Sequence, residues 1–344
     1  MSRLARLQAQ LEEPLLVSSL VNVRYLTGLA SSNAVLLVEP DGARLFTDFR
    51  YAERAREIPD VALVETRRDI YAVLPELLEG RIAFEPTVLT YERWSLLAAG
   101  GIELVPRRGV VEAMRAVKDA GELNTIRRAA AIANEAFARL AEEPFVGHRE
   151  RDLAWRMQSL LHELGGEKES FDVIVASGPT GESPHSVPGD RTVEPGETVI
   201  VDAGCRVGGY CSDCTRTFVT GELPAGLQRA YEVVKQAQET GLAAVRAGAD
   251  SKAVDGAARA VVEEAGLGDA FGHGLGHGVG LEIHEAPWLN AEWPSVLTAG
   301  NVVTVEPGVY LHGLGGVRIE DLVIVTDDGP EVLTPFTKEP VTVG

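Results

Sequence analysis

Long apolar runs are missing: no stretch of this 344-residue chain approaches the roughly 20 apolar residues that a membrane helix needs. The opening segment, MSRLARLQAQLEEPLL, alternates charge with Leu where a secretory leader would build an apolar block. A soluble cytoplasmic protein with no membrane partner is expected. Positive charge is scarce as well. The 32 Lys and Arg are outnumbered by 51 Asp and Glu, and the net charge of -19 repels polyphosphate and anionic lipid. Nucleic acid is therefore not an expected partner. Cysteine is scarcest. Cys205, Cys211 and Cys214 lie too close together to form the spread disulfide framework of a secreted scaffold, and a reducing compartment fits them.

What is present is an ordinary soluble composition, 45% hydrophobic and 24% charged, at a length that allows a sizeable core and about two domains. The N-terminal third alternates short apolar runs, such as Ala34 to Val38 and Val61 to Val64, with helical patterns at Tyr51 to Ile58 and Ile70 to Glu79, an α/β signature. Pro106, Arg107, Arg108 and Gly109 break that pattern, and an Ala-rich, charge-laced helix is predicted from Asp119 to Glu142. The boundary expected near residue 115 gives a smaller N-terminal α/β domain, 1–115, and a C-terminal domain, 116–344. Within the second domain the order of predicted elements repeats. Two helices (Asp119 to Glu142, Arg149 to Leu164), a strand from Phe171 to Ala176, a Gly- and Pro-rich loop and a hairpin from Thr198 to Val219 come first. Helices from Leu227 to Arg246 and Ser251 to Ala265, a Gly-rich strand from Phe271, another loop and a hairpin from Val302 to Val325 follow.

The first hairpin reads VIVDAGCRVGGYCSDCTRTFV. With its turn centred on Val207 and Gly208, Asp202 falls directly opposite Asp213, with Cβ atoms about 4.5–5.5 Å apart. Two like charges at that spacing are destabilising, Asp is a poor strand former, and a divalent cation between the carboxylates offsets both penalties. The second hairpin, VVTVEPGVYLHGLGGVRIEDLVIV, reverses around Gly313, and the same counting sets Glu306 opposite Glu320. A single acidic residue on a strand is ordinarily a solvated face. Four in two equivalent pairs, beside apolar Val201, Val305, Ile319 and Val323, point to strands inside the domain.

Between the hairpins stands GHGLGHGVGLEIHE. His273 and His277 have the spacing that shares a metal on a helix, but the intervening glycines favour a strand, where the two rings would be about 13 Å apart. Only one is then a ligand. Four carboxylates and one imidazole match the charge of two divalent ions, the inventory of a binuclear hydrolytic clamp. Oxygen-rich ligation favours Mn²⁺, with Co²⁺ or Zn²⁺ as alternatives. Cys211-x-x-Cys214 resembles a redox or zinc half-site, yet no second pair completes it. Cys214 has the opposite strand parity to Asp213, so small core residues are expected. Arg318, two residues before Glu320, shares its strand face. Its guanidinium either supports a ligand carboxylate or clamps the C-terminal carboxylate of a substrate.

These motifs resemble the metal-dependent peptidases of the pita-bread fold, which include prolidase, aminopeptidase P and methionine aminopeptidase. VDAG, SDCTRT, HGLGHGVGLEIHE, TVEPG and GVRIED carry the likeness in the C-terminal domain. SSLVNVRYLTGL and LFTDFRYAERA resemble the N-terminal domain shared by creatinase, prolidase and aminopeptidase P. The resemblance implies an α+β protein, a pita-bread catalytic domain preceded by a creatinase-like domain. It implies that Asp202 binds one metal and His277 the other, with Asp213 and Glu320 bridging and Glu306 completing the second. It further implies that His185 and His284, with His273 less directly, line the pocket and steady the scissile carbonyl, and that Tyr210 and Thr215 lie near the metals. The implied reaction is hydrolysis of the bond before proline by a metal-bridged hydroxide, with Glu306 as proton acceptor, in a homodimer. Where some prolidases carry an arginine this chain has Trp288, read as an apolar wall for the proline ring. The expected activity is that of a dipeptidase on short proline-containing peptides. The alternatives are an aminopeptidase P acting on longer peptides and a non-catalytic binding protein of the same fold.

Overall fold

Six strands make the sheet of the first of two units, Met1–Arg115, in a computed structural model that describes all residues 1–344. Their spatial order is Ala62–Thr66, Gly42–Asp48, Ala34–Glu39, Leu15–Val17, Arg81–Phe84 and Glu103–Pro106. The three central strands pair antiparallel, and the outer ones join in parallel. Leu16, Val35, Leu37 and Phe46 fill one face of this sheet with Ile82 and Leu97. The helix predicted from Ile70 to Glu79 shortens to Leu74–Leu77. Pro75 lacks the N–H needed to continue a helix begun upstream, and Leu78 turns extended before Gly80 at φ 79°.

The second unit, Ala116–Gly344, shows the repeated order of elements. Helix Ala120–Leu140 begins at a capping box, in which Asp119 accepts from the Glu122 main chain and Glu122 reaches back to that of Asp119. Helix Glu150–Glu163 follows, then a three-stranded sheet with Thr198–Asp202 between Ile174–Ser177 and Thr215–Val219. The second round supplies helices Ala225–Ala244 and Ser251–Glu264 and a five-stranded sheet. Its order is Glu285–Leu289, Gly276–Gly278, Val302–Val305, Asp321–Thr326 and Gly329–Val332. Each half buries its own apolar cluster. Phe137, Met157, Val199 and Val201 belong to the first, and Tyr231, Val234, Val303 and Val323 to the second. No helix is long and apolar enough to cross a membrane.

One hairpin keeps the expected register and the other departs from it. In the second, Val305 pairs with Asp321 and Gly308 with Arg318, so both flanks place Glu306 opposite Glu320 as counted. In the first, the turn is Gly208–Gly209, both at positive φ (58° and 85°), not Val207–Gly208. A Gly-Gly pair satisfies the left-handed conformation that a two-residue hairpin turn needs at both positions, which Val207 resists. Asp202 therefore lies opposite Thr215 rather than Asp213. The hairpin also splits: Cys205–Val207 and Tyr210–Cys211 leave the three-stranded sheet and pair with each other, and Cys205–Val207 pairs on its other side with Lys168–Glu169. The Gly-rich strand is likewise shorter than predicted, only Gly276–Gly278.

At the split, Gly204 lets two backbones approach: a Cβ there would sit 1.9 Å from the Ser212 carbonyl oxygen. Gly204→Ala is expected to lower the unfolding free energy by about 1–3 kcal/mol through overpacking. Gly256→Ala, on a helix with open space around the added methyl, should be neutral or mildly stabilising. Chemical denaturation of the two variants compares them directly.

Candidate metal centre

Strand ends and interruptions supply the ligands. Asp202 is the last residue of its strand, and Asp213 sits in the break before Thr215. Glu306 follows Val302–Val305, Glu320 lies between two strand segments, and His277 is central in Gly276–Gly278. The two halves are stitched together here, since Glu320 N–H donates to the Thr215 carbonyl at 3.1 Å, while within the second half Glu306 N–H donates to that of Leu275 at 2.8 Å. Carboxylate oxygens of Asp202, Asp213 and Glu320 fall within 4.8 Å of one another. His277 Nε2 lies 3.2 Å from Glu306 Oε1 and 3.6 Å from Asp213 Oδ2. Asp213 thus joins the acidic trio to the His277–Glu306 pair, and all five side chains line one cavity of about 600 Å³.

Two observations test whether divalent ions fit. Asp202 Oδ1 and Glu320 Oε1 are buried without a hydrogen-bond partner, a costly state for an acceptor unless a cation takes it. Burial, and then the neighbouring carboxylates, push Asp213 and Glu320 well above the usual carboxylate range. Burial also raises Asp202, against the pull of Arg318. Glu306 runs the other way: burial works to raise it, yet its hydrogen bond to His277 brings it down to about 2. The imidazole itself is preset. His277 Nδ1 donates to the Gly278 carbonyl at 3.1 Å, which can only accept, and this aims Nε2 at the acids; burial works to lower the pKa of the ring, yet the hydrogen bond to Glu306 raises it, so Nε2 donates to Glu306 and is the nitrogen that would exchange its proton for a cation.

Arg318 resolves toward one of its two expected roles. Its Nη2 donates to Asp202 Oδ2 at 2.8 Å and its Nε to Thr215 Oγ1 at 3.1 Å, while Nη1 serves both the Pro184 carbonyl and the Tyr310 hydroxyl. Four of its five N–H groups are committed inside the protein, so the free clamp on a substrate carboxylate is corrected to a support of Asp202. Thr215 also donates to Glu320 Oε2 at 2.7 Å, placing it beside the acids as expected. His273 has both nitrogens engaged: Nδ1 donates to the Gly274 carbonyl at 2.8 Å, so Nε2 accepts from the Tyr310 hydroxyl at 3.0 Å. Burial lowers its pKa and keeps it neutral.

His284 stands edge-on to His277 with ring centroids 4.3 Å apart, and Trp288 lies across the ladder from His277 at 6.3 Å. Both line the cavity, as does His185 on an exposed loop. Tyr210 does not. Its strand belongs to the displaced hairpin, and its hydroxyl donates to Glu122 Oε1 at 2.8 Å on helix Ala120–Leu140, so its expected place beside the metals is corrected. Sequence reasoning passed over Tyr310, whose signal was parity: it shares a strand face with Gly308 and follows Glu306 by four residues. It also passed over Glu150. That buried carboxylate holds the His185 loop through Ser177 N–H at 2.9 Å and Gly189 N–H at 3.2 Å, a long-range contact with no local signature.

The chain resembles known proteins along nearly its whole length. Residues 124–327 match the model of metallopeptidase family M24, and residues 3–117 match that of the creatinase/prolidase N-terminal domain. A Xaa-Pro dipeptidase of Pyrococcus furiosus is 35% identical over 326 residues, covering 93% of this chain and 92% of its own. Among solved structures, the Xaa-Pro dipeptidase from Bacillus anthracis aligns with a TM-score of 0.94 at 35% identity over 98% of both chains. The X-Pro aminopeptidase from Thermotoga maritima aligns with a TM-score of 0.89 at 32% identity, over 98% of this chain and 100% of its own.

The three cysteines are free and buried, and Cys205 and Cys214 belong to the apolar cluster of the first half. Burial pushes the Cys205 thiol up to about 12 and raises the other two as well. A thiol reagent at neutral pH is therefore expected to leave the folded protein unlabelled and to modify it only on unfolding. Rapid labelling of the native state would overturn this.

Proposed function

Because the chain belongs to metallopeptidase family M24 and carries the creatinase/prolidase N-terminal domain ahead of it, we propose that it hydrolyses the peptide bond before proline in Xaa-Pro dipeptides with two divalent ions, Mn²⁺ first among them. The fold is α+β, with a pita-bread C-terminal domain. One observation carries the reading: Asp202, Asp213, Glu306, Glu320 and His277 converge on one cavity with two carboxylate oxygens lacking any protein partner, in a chain matched along its length by Xaa-Pro dipeptidases. A cytoplasmic setting is supported by the three free thiols, and a homodimer by the family resemblance.

Asp202 would hold one ion and His277 the other, with Asp213 and Glu320 shared and Glu306 completing the second site. Bound there, the ions would polarise the scissile carbonyl and lower the pKa of the attacking water. The chain's own groups do the rest. Glu306, kept ionised, accepts the water's proton. His284 and His185 face the cavity from opposite segments and donate to the carbonyl oxygen as charge develops. Trp288 gives the proline ring an apolar wall. Arg318 acts through Asp202, and His273 acts through Tyr310 and Arg318, so both are positioning residues.

A second reading has its own support. With Arg318 committed to Asp202, no free guanidinium remains for a dipeptide's carboxylate, and the aminopeptidase from Thermotoga maritima is nearly as similar in structure. Comparing Xaa-Pro with Xaa-Pro-Xaa decides between them. The dipeptide is expected to be cleaved faster, equal or faster tripeptide cleavage would favour the aminopeptidase, and cleavage of neither would favour a binding protein.

Glu306→Gln is expected to lower kcat by about 100-fold or more, since it removes a ligand charge and the proton acceptor together. A variant with near-normal kcat and full metal occupancy would reject both roles. Mn²⁺ at 100 times its Kd should raise the unfolding free energy by about 2.7 kcal/mol for each occupied site, read as a higher thermal midpoint than in chelator.

A further inference from the structure

Behind the acidic cluster, on the opposite face of the strand Thr215–Val219, lies the largest fully buried side chain of the protein, Arg216. Thr215 points its hydroxyl to Glu320 on the cavity side, so Arg216, its neighbour, points away. Its Nε donates to the carbonyls of Phe336 and Thr337 at 3.1 and 3.0 Å. Its Nη2 reaches Asp321 Oδ1 at 2.8 Å and the carbonyls of Thr334 and Phe336 at 2.7 and 2.6 Å. Its Nη1 donates to the carbonyls of Thr215 and Glu320. The partner Asp321 is fully buried, and its other oxygen takes Gln238 Nε2 at 2.9 Å and Lys338 Nζ at 2.8 Å.

Stability alone does not explain such a pair. Replacing a buried ion pair by apolar residues of similar volume is often neutral or stabilising, because desolvating two charges is expensive. What an apolar pair cannot supply is the hydrogen bond to the Glu320 carbonyl. Glu320 has both main-chain groups tied to one strand, its N–H to the Thr215 carbonyl and its carbonyl to Arg216. Asp213 lies two residues before that strand. The peptide carrying one acid of the cluster is thus fastened, front and back, to the segment carrying another.

We propose that Arg216 is a positioning residue for the metal centre: held by Asp321 and the segment 334–337, it fixes the main chain of Glu320 against the strand leading from Asp213 and so sets how the two carboxylates meet. The inference rests on the reading that divalent ions bind there, and its test reads metal binding rather than turnover. The double variant Arg216→Met/Asp321→Leu removes both charges together, leaving neither buried ion alone. It should fold with a lowered thermal midpoint, since the carbonyls of Thr334, Phe336 and Thr337 lose their donor, while its affinity for Mn²⁺, measured by isothermal titration on the chelator-stripped full chain, falls by about 10- to 100-fold, the scale of lost support behind a metal ligand. Lys338→Met is the control: it strips Asp321 of one cationic contact but leaves Arg216 and its bond to the Glu320 carbonyl in place, and should lower the midpoint without weakening Mn²⁺ binding. If the double variant fails to fold, Arg216→Lys, which keeps the charge and loses the fork, is expected to show the same weakened affinity. Parental Mn²⁺ affinity in a folded double variant, or in Arg216→Lys if the double variant does not fold, would overturn the proposal. So would equal weakening by Lys338→Met, which would mark a general loosening. A parent chain that binds no Mn²⁺ would overturn this inference and the metallopeptidase reading together, whereas a binding parent with an unweakened variant removes this inference alone.

Discussion

Repulsion between carboxylates buried at the seam of two half-sheets is the constraint on which the rest of the catalytic unit depends. Asp202, Asp213 and Glu320 bring their oxygens within 4.8 Å of one another where little water reaches. At such spacing the mutual energy is several kcal/mol per pair at an effective dielectric near 20. A fold that accepts this needs either protons or cations, and the shifts toward the protonated form in Asp213 and Glu320 record that need. The cationic side chains of the neighbourhood are arranged around it. Arg318 meets Asp202 from within the cavity, His277 meets Glu306, and Arg216 braces the Glu320 peptide from behind.

The two halves solve one problem with different parts. Each offers a hairpin with acids at its interruption, but the histidine that meets those acids, His277, comes from the second half, on a strand of three residues with a glycine on either side. Those glycines are steric requirements. A Cβ at Gly276 would lie 2.1 Å from the Thr304 carbonyl oxygen, and one at Gly278 would lie 2.4 Å from that of Ala286. The backbone on both sides packs so closely that the imidazole is the only side chain the strand can present.

Legibility in the sequence followed the range of the determining interactions. The Glu306–Glu320 pairing was readable because a single glycine, Gly313, marks a symmetric turn, and counting outward from it stays in register. The same counting failed for Asp202 because RVGG offers two candidate centres, and the Gly-Gly pair rather than Val-Gly meets the torsional demand of the turn. The acids still converge, since the hairpin splits and Asp213 returns from the displaced segment, which no period-two pattern reveals. Tyr210 was misplaced for the same reason. Glu150, Arg216 and Tyr310 matter through partners distant in sequence, and only the folded chain brings those partners to them.

The bracing of Glu320 also has a consequence in time. Asp202 and Asp213 leave the ribosome about a hundred residues before Glu320, and the segment 334–337 that holds Arg216 emerges later still. The first hairpin is therefore synthesised with its acids unmatched and its guanidinium without a carboxylate. Until the second half arrives, its most stable course is to leave both in water. Assembly of the centre thus belongs to the closing stage of synthesis, and an ion captured earlier would meet only part of its binding set.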